Sequence, residues 1–493
     1  MEVAKKVVSN TGYLFMDTLT ITFFGYLFWL IMSKMMHPWE LGNFSFILNV
    51  AMIVSAFTVG GVGLAVSKIV PQYVKKQYVP GSIIGWSTKL VTYSLVPIII
   101  IAYILFNYFN FSFYALFLYL LVHSFFALTQ CYLVALSRMK DIFFTNLVAY
   151  ILKVSLAFVL IYYGFSYFGP IIAFILSSFI AVLLRLKKID FNLKPLDGDI
   201  KKKIIDNSIP AFVSGGSWIV ITSFSIIILP FFVDMNIVGI FSLSMMISTL
   251  IRMVSQSIST AMLPIISEKF SSGDNDIVSK IINSAIRYSY LFTIPAVVFI
   301  MFFPTEIVEL ISTSEYVGLA IVLQILALSG MFSGFLQIFM ILMYSIGRIK
   351  HYNILNVMGA ILIVVLSIIF GQMYGVVGVA LSYFAALASM LIYSYVKLSD
   401  IILLVDFFVG AIKVSIVSLI SIILPLYIYS MNPSLIYFIV SGVLYVLSVF
   451  VMFLLIGIFD KYDVFIISRI ERKLPKNFRF PITFLKNMVK KTL

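Results

Sequence analysis

Apolar runs long enough to cross a bilayer follow one another along almost the whole chain, broken only by short polar turns. A hydrocarbon core of about 30 Å needs about 20 apolar residues per helix. On that measure fourteen runs qualify, at 11–34, 41–66, 82–106, 112–137, 142–163, 167–185, 208–232, 237–262, 282–303, 317–345, 352–371, 375–396, 404–429 and 434–457. They predict an all-α polytopic membrane protein with about fourteen transmembrane helices. Composition matters at one point: 11% charged residues, against about 25% in globular chains, leaves no room for a sizeable aqueous domain. The first run follows Lys5 and Lys6. It is too long for a signal segment and lacks a small-residue cleavage site, so it reads as the first span. The one cysteine, Cys131, rules out an internal disulfide and reads as a small helical residue.

Charge gives the topology. With a cytoplasmic N-terminus, the inside segments hold Lys68, Lys75 and Lys76; Arg138 and Lys140; Arg185, Lys187, Lys188, Lys194 and Lys201 to Lys203; Lys269, Lys280 and Arg287; Arg348 and Lys350; Lys397 and Lys413; and the basic tail. With Lys5 and Lys6 they hold nearly all of the 34 Lys and Arg. Cations resist translocation, so the bias sets orientation. Both termini are expected in the cytoplasm of a multi-pass plasma-membrane protein. Glu40, Asp234, Glu306, Glu309 and Glu315 fall outside. The net charge of +14 is then a topology signal, and no nucleic-acid partner is expected.

The sequence also repeats itself. Asn10 and Gly42-Asn43-Phe44-Ser45 are echoed by Asn207 and Gly239-Ile240-Phe241-Ser242, and Pro71 by Pro264. Arg138-Met139-Lys140 with Asn146 returns as Arg348-Ile349-Lys350 with Asn356. Tyr163-Gly164 with Gly169 returns as Tyr374-Gly375 with Gly378. Transporters are often built from such repeats, with the site between them. Six spans per copy means two like-oriented lobes: 1–190 (spans 1–6) and 207–400 (spans 7–12). A cytoplasmic connector covers 191–206, two extra helices cover 401–458, and a basic cytoplasmic tail covers 459–493. The connector segment Asp199 to Ile205 and the tail helix from Phe465 to Leu474, ended by Pro475, read as amphipathic anchors on the membrane surface. The outside loops are short, which leaves no extracytoplasmic catalytic domain. Asn110-Phe111-Ser112 is an outside sequon too common to weigh.

Ionisable groups at membrane depth are costly and usually face a cavity or a partner. Arg252 carries Ser248, Ser255, Gln256 and Ser259 on its helical face, with Thr249 beside them. That polar stripe suits water better than lipid, and a guanidinium fork suits phosphate oxygens. The alternative is a structural pair that holds the lobes together. Lys153, mid-span with Tyr150 and Asn146 on its face, cannot easily snorkel. Lys89 and Arg287 lie nearer the cytoplasmic side, as substrate contacts or ordinary anchors. Asp17 is the one deep carboxylate: a gate paired with a cation, a site for a coupling proton or sodium ion, or half of a static pair. His123 reads as a structural histidine beside Gln130. Gly60-Gly61-Val62-Gly63 reads as close packing, a kink or local unwinding. Pro97, Pro230 and Pro295 suit helices that bend. No phosphate loop and no metal-ligand spacing appears.

Pro38-Trp39-Glu40-Leu41-Gly42 after span 1 and Leu263 to Ser267 at the end of span 8 resemble motifs of polysaccharide-transporter proteins. These include O-antigen flippases of the multidrug/oligosaccharidyl-lipid/polysaccharide exporter superfamily, and the resemblance covers roughly 10–460. It implies that the chain is not an enzyme but flips a polyprenyl-phosphate- or pyrophosphate-linked oligosaccharide to the outer leaflet by alternating access through a cationic cavity. An arginine in span 8 matters in the related lipid II flippases, and Arg252 occupies that span. The substrate-contact set is therefore Arg252, Lys153, Lys89 and Arg287, with Asn146, Ser248, Ser255, Gln256 and Ser259 lining the cavity. No cofactor is expected beyond a proton or sodium gradient. The partners are the lipid-linked oligosaccharide, membrane lipids and polysaccharide assembly proteins, and the chain is expected to act as a monomer. The rival readings are a cation-coupled drug exporter, which needs more than one deep carboxylate, a peptidoglycan-precursor flippase, and a membrane glycosyltransferase or polymerase, which needs a paired acid and base.

Overall fold

The computed structural model describes residues 2–73, 79–108, 113–192, 194–400 and 404–456. Lys75, Lys76, the Asn110 sequon and the 459–493 tail lie outside the described residues. The chain runs through α1 (Glu2–Met35), α2 (Pro38–Ser55), α3 (Gly61–Tyr73), α4 (Val79–Tyr108), α5 (Phe113–Ala135), α6 (Met139–Tyr162), α7 (Phe168–Leu186) and α8 (Gly198–Ile228). It continues through α9 (Met235–Ser271), α10 (Asn275–Phe302), α11 (Pro304–Ile311), α12 (Ala320–Ser345), α13 (Ile349–Val396), α14 (Leu404–Ser421), α15 (Ile423–Met431) and α16 (Leu435–Leu455). No strand occurs among the described residues.

Twelve described segments are long and apolar enough to cross a membrane. One of them, Ile349–Val396, is two helices joined across a break at Gly375, whose φ is +57°. The two halves are the expected spans at 352–371 and 375–396. The break has a counterpart in the first copy, where Gly164 has φ +83°. Left-handed backbone is open to glycine without the Cβ clash, so the repeated Tyr-Gly marks the same sharp reversal twice. The run at 82–106 lies in the 30-residue helix α4. Each of the fourteen expected spans thus falls on a helix. The Gly60–Gly63 stretch is more than packing. A π-type turn, Ala56–Gly60, joins α2 to α3, and a Cβ on Gly61 would collide with the Ser208 carbonyl oxygen of α8.

The connector differs from expectation. Asp197 caps α8 by accepting from the Asp199 N–H at 3.3 Å, and the helix runs unbroken from the connector into the seventh span. Ile200 and Ile204 are buried, together with Ile189 and Leu196, in a cluster with Ile69, Val70, Ile83, Ile84 and Leu133. The apolar side of this turn already has protein partners from α3, α4 and α5, so it does not need the membrane surface.

The chain gathers into two compact units. Unit 1 holds Met1–Ile247, Ile311–Ser329 and Gly347–Ser394, and unit 2 holds Ser248–Leu310, Gly330–Ile346 and the described residues from Tyr395 onward.

Candidate functional site

Within unit 1, helix α6 packs against both α1 and α7, and the three bring polar side chains into one chain of hydrogen bonds. Asn146 Nδ2 donates to both carboxylate oxygens of Asp17, at 2.9 and 3.2 Å. The Arg185 guanidinium donates through NH2 to the Asn146 carbonyl oxygen. It also donates through NH1 to the Phe126 carbonyl at 2.7 Å and through Nε to the Thr145 hydroxyl at 3.2 Å. Its Cζ lies 4.1 Å from the centre of the Phe126 ring. Arg185 is 0% exposed and Asp17 6%. Asn146 thus offers its NH2 to the anion and its carbonyl to the cation, which fixes the orientation of the amide. The carboxylate is neutralised at one remove.

The sequence groups Arg185 with the cytoplasmic basic residues, and the structure puts it inside. A signal was available: Ser178, Ala181 and Val182 precede it at i−7, i−4 and i−3, a small-residue face that α7 buries. A long cation at the end of such a face enters the bundle instead of leaving it.

Lys153 lies two helical turns beyond Asn146 on α6. Its ammonium stands 4.6 Å from the ring centre of Tyr150, 4.7 Å from Phe174 and 5.3 Å from Phe28. The aromatic faces attract the cation, and no carboxylate lies within ion-pair distance of it among the described residues. From this cage a run of rings leads back to Arg185. Phe174 meets Tyr119 at 5.8 Å, Tyr119 stacks on His123 at 5.4 Å, and His123 stacks on Phe126 at 6.3 Å. His123 is accounted for by this stack. Helices α1, α6 and α7 thus carry the cations Lys153 and Arg185 and the anion Asp17 within their spans. Lys89 is exposed on α4.

Arg252 belongs to unit 2, as do Ser248, Ser255, Gln256, Ser259 and Arg287. The expected stripe divides. Ser248, Ser255 and Ser259 are buried in helix packing. Ser255 is hydrogen-bonded to Ser289 of α10, and Ser259 Oγ donates to the Ser255 carbonyl at 2.6 Å. Gly330 and Gly334 of α12 come so close that a Cβ on the first would collide with the Ser248 carbonyl, and one on the second would lie 2.6 Å from Ser255 Oγ. This is small-residue packing of the kind that joins membrane helices. Of the expected stripe, the side chains that are not buried are Gln256, exposed, and Arg252 and Thr249, half-buried. Arg287 lies against Tyr288, with NH2 3.3 Å from its hydroxyl. No cluster of three or more His, Cys, Asp or Glu that could hold a metal occurs among the described residues.

The first two motifs of the repeat meet each other inside unit 1. A Cβ on Gly42 would collide with the Met235 carbonyl, and one on Gly239 with the Pro38 carbonyl. Each glycine touches the residue four before the other, as a two-fold axis between α2 and α9 would arrange. Each helix start is also capped. Glu40 accepts from the His37 N–H at 2.9 Å, and Asp234 accepts from the Asn236 N–H at 2.9 Å. The turn Pro38-Trp39-Glu40-Leu41-Gly42 thus combines a proline at the helix start, a capping carboxylate and a contact that only glycine fits.

This architecture has solved relatives. It is similar to a structure described as lipid II flippase MurJ in an inward closed conformation, with TM-score 0.70 and 17% identity over 90% of this chain and 98% of that one. It is similar to an inward-facing multidrug resistance MATE family transporter of the MOP superfamily, with TM-score 0.65 and 17% identity over 77% and 95%. A third, the MATE multidrug transporter DinF-BH, gives TM-score 0.55 and 17% identity over 82% and 96%. No curated protein matches the chain in sequence. At such identities the likeness is one of fold, the fold of the MOP superfamily. In sequence, residues 31–321 match the family of polysaccharide biosynthesis proteins; that is more than half of the chain, and the chain belongs to this family.

Proposed function

We propose that the protein is a flippase that carries a polyprenyl-phosphate- or pyrophosphate-linked oligosaccharide from the cytoplasmic to the outer leaflet by alternating access. The observation that carries this reading is the state of the deep charges in unit 1. The deep carboxylate of Asp17 is engaged by Asn146 and backed by Arg185, while the Lys153 ammonium stands against three aromatic faces with no carboxylate at ion-pair distance among the described residues. An interior with a surplus cation suits a phosphate headgroup and repels a cationic drug. Family membership supports a role in polysaccharide assembly. In this reading the turn between α1 and α2 faces outward, both termini are cytoplasmic in the plasma membrane, and the two like-oriented lobes rock about the substrate. Lys89 and Arg287 receive the phosphate first, and Lys153 and Arg252 hold it deeper. The polyprenyl tail stays in lipid. The chain acts as a transporter and not as an enzyme. Asp17 is the candidate for coupling to a proton or sodium gradient.

The fold shared with a lipid II flippase supports one second reading, a peptidoglycan precursor as cargo, because the phosphate chemistry is the same. Mass spectrometry of the lipid intermediates that accumulate in a deletion strain separates the two. Accumulated polyprenyl-linked oligosaccharide supports the proposal, and accumulated peptidoglycan precursor supports the second reading. No accumulation of either sinks both.

A further inference from the structure

Within unit 1, the turn where α1 stops and α2 starts is tied to residues 311–316 by four contacts. Ser33 Oγ donates to the Ile311 carbonyl at 2.7 Å. Lys34 Nζ donates to the Ser312 carbonyl at 2.5 Å, and the Tyr316 hydroxyl to the Met36 carbonyl at 3.0 Å. The fourth contact is ionic: His37 Nδ1 lies 2.8 Å from Glu315 Oε2. Burial separates these contacts into two kinds. Ser33 and Tyr316 are wholly buried, whereas the side chains of His37 and Glu315 are 65% and 49% exposed. The hydroxyl hydrogen bonds of Ser33 and Tyr316 are sheltered, Lys34 is exposed, and the His37–Glu315 pair is open to water and its protons.

We propose that residues 33–37 and 311–316 form a latch that holds this end of the transport pathway shut, and that a proton on His37 fastens it. The inference rests on the flippase reading in one respect, that this end opens during transport. The same end carries the contact of Gly42 with Gly239, which leaves no room for even a Cβ between α2 and α9. Opening must separate backbones there, and the latch grips the helix start, four residues away, that would have to move.

The charged groups that act on His37 are Glu315 from the 311–316 segment and Glu40 from α2; the Lys34 ammonium of α1 is turned to the Ser312 carbonyl. His37 has its pKa raised above the ordinary value of about 6.5. The hydrogen bond to Glu315 is the largest cause and the Glu315 charge the second; slight burial opposes, and the Glu40 charge adds to the rise. A histidine whose pKa is higher in the latched state contributes fully below its ordinary pKa. That contribution is lost as pH rises through the latched-state value. The latch is therefore tight in acid and loosens toward alkaline pH. A neutral ring keeps at most a dipolar hydrogen bond to the carboxylate. Exposed pairs are weak, so the ratio of open to latched molecules should change by about two- to five-fold.

The test is a distance measurement on the purified full chain in nanodiscs. Spin labels go on Leu30→Cys in α1 and Gly318→Cys beyond the latch, with Cys131→Ala removing the native thiol. Leu30 is exposed, and a Cβ at Gly318 meets nothing within 4 Å. The expected result is a short distance dominating at pH 6.0 and a longer population growing about two- to five-fold by pH 8.5. His37→Arg should hold the short distance at both pH values. His37→Gln and Glu315→Gln should give a distribution that no longer responds to pH. A wild-type distribution unchanged between the two pH values overturns the latch, and so does a pH response that survives in Glu315→Gln. No substrate is needed, so the latch stands or falls apart from the cargo. A chain that shows these distances but flips no lipid-linked sugar keeps the latch and loses the substrate proposal.

Discussion

The Arg185 guanidinium donates to Asn146, Thr145 and the Phe126 carbonyl. Arg185→Met should destabilise the protein by about 3–5 kcal/mol, because it leaves Asp17 as an uncompensated buried anion. Arg185→Lys should cost less but still more than about 1 kcal/mol, since an ammonium cannot serve three acceptors spread around a planar fork. Thermal unfolding in detergent reads both, and an Arg185→Met protein as stable as wild type would deny the chain of bonds its structural weight. Lys153 is different, having rings around it and no obligatory acceptor. Lys153→Met should fold normally and lose about ten- to hundred-fold of flipping rate, the equivalent of one charge-assisted hydrogen bond of roughly 1.5–3 kcal/mol. Complementation of polysaccharide export checks it. Export at the wild-type rate would remove Lys153 from the pathway. The sequence marked Asp17, Asn146 and Lys153 individually, because polar side chains stand out in apolar runs. It did not mark Arg185, because a basic residue at a span end looks like a topology signal until its helix face is known.

At the scale of helices, backbone contact sets the geometry. Gly42 and Gly239 each sit against a carbonyl of the other helix, so a single methyl forces α2 and α9 apart. Overpacking of this kind costs about 1–3 kcal/mol. Gly42→Ala and Gly239→Ala should each lower the unfolding midpoint. The double variant should cost less than the sum, because the first methyl already opens the gap the second one needs. Strict additivity would mean that the glycines do not share one contact. Gly330 and Gly334 do the same for α12 against α9, and their bulky variants should misplace the helix that bears Arg252. The repeated glycines were legible as a pattern. Their meeting was not, since a repeat in sequence does not say whether its copies touch. The apolar side of the connector shows the converse. Ile200 and Ile204 signalled an amphipathic turn, and either lipid or protein would have buried them. The choice depended on α3 and α4 lying beside them.

At the scale of the whole molecule, an acidic outer face should slow transport and an alkaline one should speed it, in the sense set by His37. A flux assay in vesicles with the two faces buffered separately measures this. A response confined to the opposite face would reverse the orientation proposed for the α1–α2 turn. What the chain is made of was written in the sequence. Span length and basic loops gave an all-helical membrane protein and the doubled motifs its repeated halves, because hydrocarbon enforces a local rule: each helix must satisfy its own backbone and exclude charge along its length. What the sequence left undecided is which polar groups answer one another. Asp17 finds Asn146 and Arg185 across helices more than a hundred residues apart, His37 finds Glu315, and the serines beside Arg252 turn into packing. Those pairings depend on how helices rotate and cross, and local hydrophobicity fixes neither.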